Sequence, residues 1–408
     1  MQIEFNSYIQ KSDKTDLIQK EVDNFLASER FDFVKTLSDK KYQNQCHTIF
    51  ERFKDRSHFV QIGIGGSSLG PEMLISALSK NTERTFHFIN NIDPDKTAQQ
   101  INQINFKDAL FYVVSKSGGT AETLASFAIM VNELKSHGVK ESELANYFVF
   151  ASDPSTSQLR ELGDDLGITT LDIPTNVGGR FSVLTPVGLL PALFAEIDIE
   201  ELCRSAFSFG SELSNLYSFK KAVSMILNHH ENGYDQTVFM PYSSRLRDLS
   251  FWFIQLWAES LGKKDKDGKR VGLTPIPSYG ATDQHSQMQL FMEGPLNKVM
   301  LLINIKESEH DLKLENQFDH PKLQKLSGFT LKNLMDSEFF GTKKALEEQN
   351  VPHIVFNINK LNEENLAKLV IFFEFLTAVT GFCLKIDPFN QPGVEAGKIY
   401  SFEWLDNL

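Results

Sequence analysis

The chain has 408 residues, and its 53 acidic against 41 basic side chains give a formal net charge of −12. A surplus of that sign repels a polyphosphate backbone and sets nucleic acid aside as a partner. The length exceeds one ordinary hydrophobic core and predicts roughly two to three domains. Cys46, Cys203 and Cys383 are too isolated to form a metal or redox pair at short spacing, which fits a reducing, cytoplasmic setting.

The opening stretch "MQIEFNSYIQKSDKTD" lacks a continuous apolar run, so no secretory signal is expected. Residues 1–45 are read as a helical segment ahead of the first domain. From there, short β-branched or aromatic runs alternate with longer amphipathic stretches. "HFVQIGI" (58–64), "TFHFINNI" (85–92), "LFYVVS" (110–115), "YFVFAS" (147–152) and "ITTLDI" (168–173) are expected strands. "PEMLISALSK" (71–80) and "AETLASFAIMVNELKSHG" (121–138) repeat apolar residues at three and four and are expected helices. A second series follows with the strands "QTVFMPY" (236–242), "VMLLINI" (299–305) and "HIVFNI" (353–358).

This alternation predicts an α/β fold of βαβ units, with mainly parallel sheets flanked by helices on both faces. We place the domains at 46–205 and 206–408. No Pro/Gly linker separates them, so the halves should pack closely with a ligand cleft between them. "LAKLVIFFEFLTAVTGFCLKI" (366–386) is the most membrane-like stretch, but Glu374 sits in its middle and Gly381 near its end. It reads as a core helix running into a strand, and no membrane association is expected.

Three glycine loops stand out. "GIGGSSLGP" (63–71) follows the first strand and resembles an anion-binding turn. A dinucleotide fingerprint fails there, because Ser68 stands where the third glycine should be, and a phosphate-binding P-loop fails for want of lysine. "SKSGGTAET" (115–123) offers the hydroxyls of Ser115, Ser117 and Thr120, the cation of Lys116, and Gly118 and Gly119, which let backbone amides converge at a helix start. That combination suits a phosphate monoester. "NVGGRFSVLTPVGLLP" (176–191) brings Arg180, a planar donor fork able to hold an anion or a developing enediolate, behind Gly178 and Gly179.

These segments, together with "FNQPGVEAGK" (389–398), resemble in kind and order the signature motifs of the phosphoglucose isomerase family. The likeness runs from residue 63 to residue 398, in a short bacterial-type form. It implies two sugar isomerase (SIS) domains, each an αβα sandwich, usually in a homodimer. It also implies interconversion of glucose 6-phosphate and fructose 6-phosphate, with a sugar phosphate as ligand and neither metal nor nucleotide cofactor.

The resemblance assigns residues too. Gly65, Gly66 and Ser67 line the sugar, Ser115, Lys116, Ser117 and Thr120 form the phosphate loop, Arg180 faces the enediolate, and Lys398 lies near the ring oxygen. Isomerisation needs one carboxylate to carry a proton between C2 and C1 and a separate acid to open the ring. The short forms resemble enzymes that take the base from "WAESLGK" (257–263), which makes it Glu259, with Asp283 in reserve. His285 in "SYGATDQHS" (278–286) is the choice for ring opening, as histidine's pKa of about 6.5 suits it, with His310 and His320 as alternatives from a partner chain. A sugar-phosphate-binding regulator without turnover is the alternative reading.

Overall fold

A computed structural model describes residues 1–9, 12–80, 83–155, 157–316 and 318–408. In chain order its strands are β1 (Gln2–Asn6), β2 (His58–Ile62), β3 (Thr85–Ile89), β4 (Ala109–Val114), β5 (Phe148–Ser152), β6 (Thr170–Asp172), β7 (Gln236–Pro241), β8 (Lys263–Lys264), β9 (Arg270–Val271), β10 (Thr274–Pro277), β11 (Lys298–Ile305) and β12 (His353–Ile358). They form two five-stranded sheets, ordered β3-β2-β4-β5-β6 and β1-β12-β11-β7-β10, and the small β8-β9 ribbon. Every pairing in the first sheet is parallel, as are those among β10, β7, β11 and β12.

Burial on both faces explains why these strands read as continuous apolar runs. In β4 all six residues are buried. Leu110, Tyr112 and Val114 point into a central core, while Phe111 and Val113 pack outward with Phe127, Met130 and Leu134 of the helix Ala121–Ser136. The second sheet does likewise: Val238, Met240, Met300, Leu302 and Val355 join an outer cluster with Phe339 and Leu346. The central core is shared by both sheets, and the helices Ile199–Leu213, Arg247–Leu261 and Glu363–Cys383 lie in it.

The helix Glu363–Cys383 is long and apolar enough to cross a membrane by length and composition, yet it is buried almost throughout. Glu374, inside it, is fully buried, and burial pushes its carboxyl far above the usual range. The strand expected after this helix does not form, because the chain turns at 384–386 with Lys385 in the left-handed region, φ 61°.

The N-terminal reading also needs correcting. Residues 1–45 begin with a strand, and β1 closes the second sheet by pairing antiparallel with β12. Sequence reading missed it because an edge strand buries only part of each side chain, and "QIEFN" has none fully buried. It missed β10 because "TPIP" carries two prolines, which a sheet edge tolerates.

Inside the second sheet, His353 is fully buried. Its Nδ1 lies 2.8 Å from the Val351 carbonyl and its Nε2 2.9 Å from Asn6 Nδ2, so Nδ1 donates, Nε2 accepts and the ring is neutral. Burial pulls its pKa below the ordinary value. A base with a depressed folded pKa supplies stability that is complete above its unfolded pKa of about 6.5 and fades as pH falls toward the folded value. Denaturant unfolding of wild type and His353→Gln from pH 8 to pH 5 should therefore show the wild type losing stability faster below pH 6.5. The difference should approach, at most, about 1.4 kcal/mol per pH unit.

Candidate active site

The glycine loop after β2 is held by its neighbours. Gln61 Nε2 donates to the Ser67 carbonyl at 2.8 Å, Ser68 is bonded to Glu72, and Asn90 donates to the same carboxylate at 2.6 Å. Gly65 adopts φ +60°. A Cβ on Gly66 would lie 2.2 Å from the Gly179 carbonyl oxygen and 2.9 Å from the Arg180 amide. Only glycine lets this loop touch the backbone that presents Arg180.

The loop after β4 curls as its serines and glycines predict. Ser115 Oγ lies 2.9 Å from Thr120 Oγ1 and accepts from the Gly118 amide at 3.1 Å. Gly118 is left-handed, φ +74°. Thr120 stands at the N-cap of the 16-residue helix Ala121–Ser136, but its side chain bonds none of the first-turn amides. The positive end of the helix thus faces the loop uncapped, ready for an anion. Lys116 behaves differently from expectation: its ammonium turns away from the hydroxyls and donates to the Thr175 and Val177 carbonyls at 2.6 and 2.8 Å. It ties the phosphate-type loop to the Arg180 segment.

Arg180 is 3% exposed and spends its donors on three parts of the chain. Nε donates to Ser260 Oγ at 2.7 Å, Nη1 to Gln391 Oε1 at 2.7 Å, and Nη2 to the carbonyls of Pro388 and Asn390 at 2.5 and 3.0 Å. Glu259 Oε1 stands 3.5 Å from Nη1. Burial pulls the guanidinium pKa down, and the charges of Glu259 and Asp387 oppose that. Glu259 lies in the last turn of the helix Arg247–Leu261, whose Trp252, Phe253 and Trp257 face the core while the carboxylate faces Arg180. Gln255, one turn earlier on the same face, donates to Glu259 Oε2 at 3.1 Å. Gln255, Ser260 and Gln391 were not singled out in the sequence, though the i, i+4 spacing of Gln255 and Glu259 was a legible signal.

Other expected groups stand apart from this cluster. Lys398 pairs with Glu395 at 2.9 Å, both well exposed on the helix Glu395–Leu405. His285 ends the short turn Thr282–His285, exposed. Asp283 is committed to that turn, accepting from the Tyr279 amide at 2.8 Å and from Ser286 at 2.5 Å. Burial alone would raise its carboxyl, but these hydrogen bonds outweigh it and hold the pKa below the usual range. His320 caps the helix Pro321–Leu326. His310 lines a cavity of about 940 Å³ beyond the ends of β7, β11 and β12, where Arg245 pairs with Glu309 and Lys80 with Glu363. None of the Arg180 cluster lines that cavity.

Two mainly parallel sheets packed on a shared helical core, with hydroxyl- and glycine-rich loops at the carboxyl ends of the first sheet's strands, give the chain an α/β fold of the SIS type. The structure overlays a tagatose-6-phosphate ketose/aldose isomerase from Escherichia coli with a TM-score of 0.57 at 12% identity, covering 95% of this chain and 98% of that one, a likeness of fold alone. It overlays a hypothetical protein from Thermus thermophilus with a TM-score of 0.90 at 33% identity, covering 96% and 95%. The family model for phosphoglucose isomerase matches residues 12–408. A glucose-6-phosphate isomerase from Rubrobacter xylanophilus is 38% identical over 353 residues, covering 83% of this chain and 80% of that relative. The chain belongs to the phosphoglucose isomerase family.

The contact between the two glycine loops is open to a direct test. Gly66→Ala should push the loop off the Arg180 backbone, lowering unfolding stability by about 1–3 kcal/mol. It should also cut kcat/KM for sugar-phosphate turnover more than the unfolding loss explains, as steady-state kinetics well below the variant's melting temperature would reveal.

Proposed function

We propose that this chain interconverts glucose 6-phosphate and fructose 6-phosphate through a cis-enediolate. The observation that carries the reading is a carboxylate, Glu259, held 3.5 Å from the buried Arg180 guanidinium, whose own segment is touched by the glycine loop at Gly66 and by Lys116 of the hydroxyl-rich loop. The relatives' names supply the substrate pair, and the chemistry of the residues supplies the roles.

The phosphate sits on the amides and hydroxyls of Ser115, Ser117 and Thr120. The sugar lies against Gly65, Gly66 and Ser67. Glu259 removes the proton from C2 and returns it to C1, one group sufficing because the two carbons are neighbours. Gln255 fixes the carboxylate's orientation. Arg180 is anchored before the reaction begins, so its charge meets the enediolate oxygens without reorganisation. His285 and Lys398 open the ring, and no metal or nucleotide enters the scheme. The setting is cytoplasmic.

A homodimer belongs to the same reading. The helix Glu395–Leu405 buries no side chain, and Ile399, Tyr400, Phe402 and Trp404 are 53–66% exposed. Leu312, Phe318 and Phe329 are exposed on the segment that follows β11. Apolar patches of this extent mark interfaces, and a second chain would cover them and bring groups such as His285 toward a site they do not reach within one chain. Sedimentation at micromolar concentration should give twice the chain mass, and a single-chain mass overturns the dimer.

For the chemistry, a coupled assay from fructose 6-phosphate should show wild-type turnover, with Glu259→Gln losing about two to four orders of magnitude in kcat, as removal of a general base does. Asp283→Asn should keep most of it. Tight binding of the sugar phosphate by wild type without conversion would favour a regulator instead.

A further inference from the structure

The end of the helix that carries Glu259 has an unusual fastening. Lys263 stands just past the helix, after its C-cap Gly262, and its ammonium donates back to the main-chain carbonyls of Glu259 and of Ser260, the latter at 3.2 Å. These are the two residues whose side chains meet Arg180 from this helix. Carbonyls of a last helical turn lack intrahelical partners and carry the negative end of the helix dipole, so a cation there both satisfies and attracts them.

The backbone of Lys263 is itself fixed. It pairs with Val271 in the β8-β9 ribbon, and the ribbon's approach depends on glycine, because a Cβ on Gly272 would lie 3.2 Å from Gly262 Cα. Lys263 is therefore held from below by the ribbon and holds the helix end above it.

We propose that Lys263 is a positioning residue for the isomerisation: its ammonium fixes the last turn of the helix so that the Glu259 carboxylate and the Ser260 hydroxyl keep their places on Arg180. This rests on Glu259 being the base. The charged groups facing Lys263 are Arg180 from the glycine turn, Glu259 from the helix and Asp387 from the segment after the helix Glu363–Cys383. Burial, and then the Arg180 charge, pull the lysine pKa down to about 8, against the opposing pull of Glu259 and Asp387. The fastening is thus mostly charged at neutral pH and weakens as pH rises through 8, which gives it a kinetic signature.

Lys263→Met and Lys263→Arg are to be compared with wild type and Glu259→Gln in the coupled assay from pH 6.5 to pH 9.5, with melting temperatures measured at each pH. Misplacing a reacting group by a fraction of an ångström to an ångström costs up to about 100-fold. The Met variant should lose about 10- to 100-fold in kcat with KM changed by less than about threefold. Wild-type kcat should fall above pH 8, and the Arg variant should recover most of the turnover without that fall, because a guanidinium stays charged there. Glu259→Gln collapsing while Lys263→Met stays within about twofold of wild type overturns the positioning role and leaves the base assignment standing. An Arg variant with the same alkaline fall as wild type also overturns it. Glu259→Gln retaining turnover overturns both.

Discussion

A guanidinium taken out of water needs partners for all of its donors, and Arg180 shows how much of a molecule that need can organise. The desolvation of an unpaired ion in a protein interior costs several kcal/mol. Here the cost is offset by hydrogen bonds to segments far apart in the chain: Ser260 at the end of the helix Arg247–Leu261, and Gln391 with two carbonyls of the 388–390 turn. Because each partner occupies a fixed direction around a planar fork, the cation also fixes where those segments meet. The halves of the chain are joined at the point where Glu259 stands.

Close approach of backbones is the second requirement, and it falls on a few glycines. Gly66 has the carbonyl of Gly179 where its side chain would be, so the loop after β2 and the loop that carries Arg180 form one surface. Lys116 adds two bonds from the third loop to the same segment. Three loops that are separate in sequence thereby share one frame at the carboxyl edge of a parallel sheet, the edge at which open α/β sheets take ligands. Rigidity of this kind suits a reaction whose intermediate carries new negative charge, because donors that are already in place need not rearrange.

Much of this was legible in the amino acids. Of the eight strands that announced themselves, the inner ones did so because burial on both faces demands unbroken apolar runs, and the glycine loops announced themselves because few other residues allow their turns. What escaped reading has physical reasons. β1 and β10 lie at sheet edges, where half-burial and proline blur the pattern. Lys116 was grouped with the phosphate loop by its neighbours and by the family resemblance, and no local pattern announces that its long side chain reaches carbonyls some sixty residues away. Gln391 lay inside a quoted motif, but its role comes from Arg180, more than two hundred residues earlier, and no local pattern encodes that. The sequence resemblance grouped His285 and Lys398 with the site, while within one chain they stay outside the Arg180 cluster.

That last difference follows from how the C-terminal segment is built. Its first part, 388–391, is pinned by the buried arginine, and its continuation from Glu395 onward buries nothing. The two parts are joined by a single turn, Pro392–Val394. An exposed helix bearing Tyr400, Phe402 and Trp404 gains stability only where another surface takes that apolar area from water. Whatever surface does so also settles the angle at which the helix leaves the arginine, and with it the position of Lys398, in the first turn of that helix. Under the role proposed for Lys398, the assembly of the site and the covering of this helix are one event, because the same short stretch of chain serves both.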